Sequence, residues 1–179
     1  MILNDVIRAV SEGRSPILLT ERRDHLEYFA DRLRSFVRHL VVLRGGMTTK
    51  DRAKITAGLA KIRGDEERLV LATGRYIGEG FDDARLDTLF LAMPISWRGT
   101  LAQYTGRLHR FHSGKTEVQI FDYVDCEVPM LLRMFEKRLR AYRALGYARG
   151  DMAINDATPV REHTVEYDQE VIESLDEIT

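Results

Sequence analysis

Short apolar runs alternate with amphipathic stretches along the first 145 residues of the chain. The apolar runs have the length and boundaries of buried strands; they span residues 17–19, 40–43, 69–72, 88–92 and 118–121. Between them, apolar residues recur every three or four positions, which predicts helices with one apolar face. These helices are expected in residues 1–13, around positions 26–37 and 55–62, and in 99–109 and 129–145.

Strands without a polar face, separated by helices, are typical of a parallel sheet that helices cover on both faces. The sequence therefore predicts an α/β fold with a mostly parallel sheet. Sheets of this type bind ligands in the loops at the carboxyl ends of their strands. Because the unusual residues of this chain follow predicted strands, we expect them to gather at that edge.

The composition is that of an ordinary soluble domain. With 44% hydrophobic and 31% charged residues in a chain of 179, one core can be buried. The apolar runs are too short to cross a bilayer. A single cysteine, Cys126, excludes an internal disulfide and a cysteine-based zinc site, so a reduced, cytoplasmic setting is expected.

The net charge of −1 conceals an uneven distribution of charge along the chain. Residues 151–179 hold nine acids and one arginine, and removing them from the totals of 28 and 27 leaves 19 acidic against 26 basic residues. We therefore predict a folded domain over 1–150 and an acidic extension over 151–179 that is disordered or packed on a partner. A basic body suits a polyanion, although the charges alone also fit a solvated surface with a disordered tail.

The most informative residues lie in the predicted helix 99–109 and just beyond it. Gln103, Arg107 and Arg110 are four and three residues apart, so on a helix all three emerge on one face. Gly106 leaves room beside them for a close approach of backbone. Two arginines three residues apart form a fork suited to phosphate oxygens. A surface helix held by salt bridges is the alternative interpretation of this segment.

A glycine-bearing loop follows the third predicted strand. It begins at Thr73 and Gly74 and ends at Gly80 and Asp82. The glycines permit backbone to approach a ligand, and Asp82 can accept hydrogen bonds from ribose hydroxyls or orient an arginine. Taken alone, this loop also fits a tight turn with a capping aspartate.

Together these segments resemble the superfamily 2 helicases and translocases. Residues 73–82 look like helicase motif V, and the pattern Gln103-x-x-Gly-Arg-x-x-Arg110 matches motif VI of that superfamily. Residues 17–22 are similar to motif IV, and residues 43–46 to the glycine-bearing loop after the next strand. The resemblance covers about residues 14–125. It implies the second, C-terminal RecA-like motor domain, in the restriction- and repair-type branch.

The resemblance also implies a role for each motif residue. ATP with Mg²⁺ would be held mainly by an N-terminal RecA-like domain of the same polypeptide. Arg107 and Arg110 would face the γ-phosphate, with Arg110 the better candidate for an arginine finger, and Gln103 would help to position the attacking water. Gly80, Asp82 and Gly106 would border the nucleotide. DNA, or RNA, would be the nucleic acid, and the residues implied to contact its backbone are Thr20, Arg22, Arg44, Gly45, Thr73 and Gly74.

Two residues depart from the family pattern. Gly74 stands where family members often carry an acid, which puts coupling through that position in doubt. Tyr104 follows Gln103 where a polar or basic residue is common, and we expect Tyr104 to pack in the core. Trp97 is expected to be buried under the following helix, with stacking on a base as the alternative.

Other suggestive residues fit simpler interpretations. Residues 113–116 contain Gly-Lys-Thr, but His109 stands where a phosphate loop needs glycine, so a turn is expected. His109 and His112 lack further ligands at metal spacing. The basic residues of helix 129–145 either extend a basic track or form a solvated face; they are Arg133, Lys137, Arg138, Arg140 and Arg143.

The sequence contains no phosphate loop and no Asp-Glu box, so we expect the isolated chain to have negligible ATPase activity. Two other interpretations stay open. A non-motor nucleotide-binding domain would need a Gly-x-Gly-x-x-Gly loop after the first strand, where residues 17–25 hold no glycine. A silent RecA-like scaffold would have no need for the arginine fork.

Overall fold

The computed structural model describes residues 1–74, 81–93, 95 and 98–148. The fold is that of the compact unit Met1–Tyr147. Gly80, Trp97 and the acidic segment 151–179 lie outside the described residues, so the expectations for them stay predictions. No helix among the described residues is long and apolar enough to cross a bilayer.

Five strands form one sheet in which every described pairing is parallel. The strands are β1 Pro16–Thr20, β2 His39–Leu43, β3 Arg68–Thr73, β4 Thr88–Leu91 and β5 Gln119–Asp122. The helices are α1 Ile2–Ser11, α2 Arg23–Leu33, α3 Thr49–Lys61, α4 Arg98–Leu108 and α5 Pro129–Ala144. The strand order is β2-β3-β1-β4-β5. The predicted α/β fold with a parallel sheet is confirmed.

Both faces of the sheet are covered because its central strands are apolar on both sides. Every residue of β1, β3 and β4 is buried, whereas the edge strands β2 and β5 are mostly half-buried. Leu18 and Phe90 face a core completed by α1 and α2. Ile17 and Leu89 face the opposite core, to which α3, α4 and α5 contribute.

Local sequence signals set the ends of α3 and α5. Thr48 accepts a hydrogen bond from the backbone of Asp51, and the Asp51 side chain accepts one in return from the Thr48 backbone. This capping box satisfies two amide groups that the helix would otherwise leave unpaired. Pro129 starts α5, where its fixed φ suits a first turn.

A buried ion pair joins α5 to the end of β5. Arg138 is 4% exposed and Asp122 6%, and the arginine Nε and Nη2 donate to the two carboxylate oxygens over 2.6 and 2.9 Å. Arg138 also donates to the Ile95 carbonyl over 2.6 Å, and Tyr142 donates to Asp122 over 2.9 Å. Burial, reinforced by Asp122, raises the pKa of Tyr142. The expectation that Arg138 belongs to a solvated or nucleic-acid-facing helix surface is therefore wrong.

Candidate functional site

Three residues singled out in the sequence meet at the carboxyl ends of neighbouring strands. Thr20 ends β1 and Thr73 ends β3, and these two residues are paired across the sheet. Gly45 follows the end of β2, and its backbone N–H donates to Thr73 Oγ1 over 3.2 Å. The loop after β2 is therefore tied directly to the loop after β3.

A basic groove opens beside this junction. Its volume is about 800 Å³, and its lining includes the cations Arg23, Arg44 and Lys54 together with Gly45 and Gly46. Arg23 Nη2 donates to the Gly45 carbonyl over 3.0 Å. Three cations that line one groove suit the closely spaced anionic oxygens of a phosphodiester backbone.

The loop geometry of the groove depends on Gly46. Its φ of +86° is one that L side chains rarely adopt, and a Cβ there would lie 3.3 Å from Arg23 Nη2. The only acid that lines the groove among the described residues is Asp51, whose carboxylate accepts from Thr48 in the capping box. The lining therefore has three cations against one carboxylate, and Glu27, outside the lining, lies 3.8 Å from Arg44.

Sequence reasoning missed Arg23 and Lys54. Arg23 directly follows the predicted contact Arg22, and Lys54 lies on α3 beyond the glycine loop. Nothing in the local sequence distinguishes them from other surface cations. Only the packing of α2 and α3 around the glycine-bearing loop after β2 brings these two side chains into one groove.

Arg22 and Thr20, two further predicted backbone contacts, are also engaged inside the chain. Arg22 is exposed, and its Nε donates to Asp24 Oδ1 over 3.0 Å, an interaction that lowers the pKa of Asp24 to about 2. Thr20 is 1% exposed, and its hydroxyl lies 3.1 Å from His25 Nδ1. Arg44 remains exposed, with the Glu27 carboxylate 3.8 Å away.

Tyr104 packs in the core, as predicted. It is 4% exposed, and its hydroxyl donates to the Gly74 carbonyl over 3.0 Å. A Cβ on Gly74 would lie 2.8 Å from each of three side-chain atoms, which belong to Glu21, Met93 and Tyr104. An alanine at position 74 would therefore require the ends of these side chains, or the backbone, to shift.

The arginines of the helicase-like pattern lie at the opposite end of the sheet. Arg110 Nε is 2.9 Å from Asp82 Oδ1, and the neighbouring Asp83 forms a bidentate pair with Arg68, the first residue of β3. Arg107 donates to the Phe81 carbonyl. The expectation that the unusual residues all gather at the carboxyl ends is wrong for this group, because the chain returns to the amino end of the sheet before β4 begins.

Arg110 is not on the helix that carries Gln103 and Arg107. The helix α4 ends at Leu108, and the backbone N–H of Arg110 donates to the Arg107 carbonyl over 3.3 Å, as in a tight turn. The prediction that the three side chains share one helical face is therefore wrong for Arg110. Its direction is set by the turn and by Asp82, with 55% of the arginine side chain and 41% of the aspartate exposed.

Lys115 holds this turn in place. Its Nζ donates to the carbonyls of Leu108 and Arg110 over 2.6 and 2.9 Å, which caps the last turn of α4 with a cation. Burial lowers the pKa of Lys115. The predicted turn at residues 113–116 is confirmed at Ser113 and Gly114, although its lysine has a structural role that the sequence did not reveal.

Solved structures of other proteins have a fold similar to that of this chain. No protein-family model and no curated protein matches the chain. A crystal structure of the C-terminal part of the Fun30 ATPase domain is similar, with a TM-score of 0.62 and 14% identity over 79% of this chain and 46% of that one. The crystal structure of T4 UvsW is also similar, with a TM-score of 0.61 and 17% identity over 80% of this chain and 31% of that one.

The fold is RecA-like. The chain spans about half the length of the first of these structures and about a third of the second. Both likenesses concern the parallel sheet and its helices.

One surface of the RecA-like domain beside the arginines is open. Gly106 is exposed, and a Cβ there would meet nothing within 4 Å. Gln103 is also exposed, three residues earlier on α4. The space predicted beside Gly106 therefore exists, and it can receive a group from outside the described part of the chain.

Proposed function

We propose that this RecA-like domain is the second motor domain of an ATP-dependent superfamily 2 helicase or translocase of the restriction- and repair-type branch. The observation that carries the proposal is the placement of Arg110. It stands half-exposed on a turn fixed by Lys115, beside Arg107 and paired with Asp82. A fixed but accessible guanidinium is what an arginine finger requires, because it must meet charge that develops on a phosphoryl group held elsewhere.

The nucleotide in this proposal is ATP with Mg²⁺, bound mainly by an N-terminal RecA-like domain of the same polypeptide. Closure of the two domains brings Arg110 and Arg107 to the γ-phosphate, and Gln103 to the attacking water. Asp82 orients Arg110 before closure, since their ion pair already exists in the isolated domain. Gly80 and Gly106 border the nucleotide where backbone must come close.

The basic groove is the proposed grip on DNA. It lies at the carboxyl ends of β1, β2 and β3, at the other end of the sheet from Arg110. Of the proposed backbone contacts, Arg44 and Gly45 line this groove, together with Arg23 and Lys54. Thr20, Arg22, Thr73 and Gly74 remain proposed contacts outside its lining. Such contacts read phosphates and not bases, which suits a protein that moves along a strand.

The first test of this proposal is the ATPase activity of the isolated chain. Purified residues 1–179 should hydrolyse ATP no faster than a protein-free blank, because the residues that hold phosphate and Mg²⁺ come from the other domain. The measurement is phosphate release with Mg²⁺, with and without DNA, beside the polypeptide that carries both domains. Robust Mg²⁺-dependent turnover by the chain alone would contradict the proposal.

The groove can be tested by the salt dependence of DNA binding. Lys54→Ala and Arg23→Ala are each expected to weaken binding, and to reduce the slope of log affinity against log salt concentration by about 1. The measurement is fluorescence anisotropy of a labelled duplex between low and moderate salt. Lys61→Ala is the matched control, since Lys61 is an exposed lysine on the same helix that does not line the groove. Equal slopes for Lys54→Ala and Lys61→Ala would remove the groove from the proposed interface.

A catalytically silent scaffold is the second candidate function. The pair between Asp82 and Arg110 favours it, because a half-exposed ion pair can also be a surface interaction of little consequence. The two candidates differ in what the loss of Arg110 does to ATP turnover.

A further inference from the structure

The basic groove and the arginines lie at opposite ends of the sheet. The buried Tyr104 side chain contacts Gly74 near the groove, and its helix α4 carries Arg107 towards the other end. We infer that Tyr104 is a positioning residue that transmits occupancy of the groove to the arginines on and after α4. This inference rests on the proposed function, because it concerns how DNA binding would alter the rate of ATP hydrolysis.

The first link lies in the groove itself. Gly45 lines the groove and donates its N–H to Thr73 Oγ1 over 3.2 Å. Gly74 is covalently next in the chain. A phosphate that draws the Gly45 loop towards itself therefore pulls on the side chain of Thr73, the residue next to Gly74.

The second link joins that backbone to α4. The Gly74 carbonyl accepts the hydroxyl hydrogen of Tyr104 over 3.0 Å. Glu21, Met93 and Tyr104 all approach within 2.8 Å of the space where a Cβ of Gly74 would stand. A displacement of the Gly74 backbone is therefore passed to the Tyr104 hydroxyl through direct contact.

The hydroxyl of Tyr104 is available as a donor at every physiological pH. Burial, reinforced by the negative charge of Glu21, raises the pKa of Tyr104 to about 12. The tyrosine is 4% exposed, so water does not compete for the Gly74 carbonyl. The link therefore persists until the backbone itself is displaced.

The third link runs along α4 to the arginines. Arg107 is three residues beyond Tyr104, within one helical turn, so the two residues shift as one body. The Arg107 guanidinium donates to the Phe81 carbonyl, and the Arg107 carbonyl accepts from the Arg110 backbone. A movement imposed at Tyr104 therefore reaches both guanidinium groups.

Tyr104→Phe removes one hydroxyl and keeps the buried ring, so it isolates this link. In the polypeptide that carries both domains, the basal ATPase rate and the DNA concentration for half-maximal stimulation should stay within about twofold of the unsubstituted protein. The stimulation by DNA at saturation should fall by about two- to tenfold, the range expected for one hydrogen bond. The probes are a linear duplex and an oligo(dT) strand, each titrated against phosphate release.

The matched control is Tyr123→Phe. Tyr123 is a half-buried tyrosine, whose hydroxyl donates to Asp5 Oδ2 over 2.8 Å, away from both the groove and the arginines. The Tyr123→Phe variant also loses one side-chain hydrogen bond, and we expect DNA to stimulate its ATPase rate fully. Gly74→Ala is the second test, because its Cβ must displace the Tyr104 hydroxyl, and it should reduce stimulation at least as much as Tyr104→Phe.

Each outcome decides a separate question. Undiminished stimulation in both Tyr104→Phe and Gly74→Ala overturns the coupling role and leaves the proposed motor function standing. Equal losses of basal and stimulated rate in Tyr104→Phe also overturn it, because they indicate a merely structural tyrosine. A two-domain protein that neither hydrolyses ATP nor responds to DNA overturns the proposed function itself.

Discussion

Arg110→Ala is expected to lower the ATPase rate constant of the two-domain polypeptide by about 10³–10⁵-fold, the range measured for loss of an arginine finger. The physical reason is that the guanidinium stabilises negative charge that is larger in the transition state than in bound ATP. Arg110 is well placed for this, since the turn after α4 holds its backbone and Asp82 holds its side chain. Affinity for ATP should change much less, because the other domain supplies most of the binding.

Single-turnover phosphate release measures this effect, with nucleotide affinity measured in parallel by a fluorescent ATP analogue. Arg110→Lys should recover only a small part of the rate, since an ammonium keeps the charge but lacks the planar fork. Arg133→Ala removes an exposed arginine from α5 and serves as the control. An unchanged rate in Arg110→Ala would favour the silent scaffold over the motor domain.

Arg138→Met is expected to lower the free energy of unfolding of the chain by about 3–5 kcal/mol, the usual cost of removing one partner of a buried ion pair. The loss leaves the Asp122 carboxylate with an uncompensated charge at 6% exposure. It also removes the donor to the Ile95 carbonyl, which lies in the connection between β4 and α4. The connection that leads into the arginine-bearing helix should therefore loosen as well.

Urea denaturation followed by circular dichroism gives the unfolding free energy for this comparison. Arg140→Met is the control, because Arg140 is exposed on the same helix and its loss should cost less than about 0.5 kcal/mol. The double variant Asp122→Leu with Arg138→Met should recover most of the lost stability, since it removes both charges together. If Arg138→Met alone lowers the free energy of unfolding by less than about 1 kcal/mol, the Arg138–Asp122 pair does not anchor α5 to β5.

The success of the sequence predictions for strands and helices follows from local patterning. The central strands are recognisable because they are apolar on both faces, and this pattern leaves a covered parallel sheet as the natural arrangement. The pattern from Gln103 to Arg110 is visible because its spacing alone carries the information. The helix α4 ends at Leu108, one residue before the predicted end, and Arg110 lies in the turn beyond it and not on the helical face.

The structural roles of polar residues were harder to predict from the sequence, because the partners of a polar side chain can come from distant parts of the chain. Arg138 was indistinguishable in sequence from its exposed neighbours on α5, yet Asp122 and Ile95 bury it. Lys115 resembled part of a phosphate-binding triplet, yet it caps α4. The partners of Arg138 are 16 and 43 residues away, whereas those of Lys115 are backbone carbonyls only five and seven residues away, which carry no side-chain signal.

By itself, the sequence determined the class of fold and the succession of strands and helices, because these depend on periodicity and spacing along the chain. Only the tertiary structure decided that the basic groove and Arg110 lie at opposite ends of the sheet, and that Tyr104 connects Gly74 to α4. These features depend on which strand ends and helices become neighbours when the sheet is assembled. That choice is made by the packing of the whole core and cannot be inferred from any one segment.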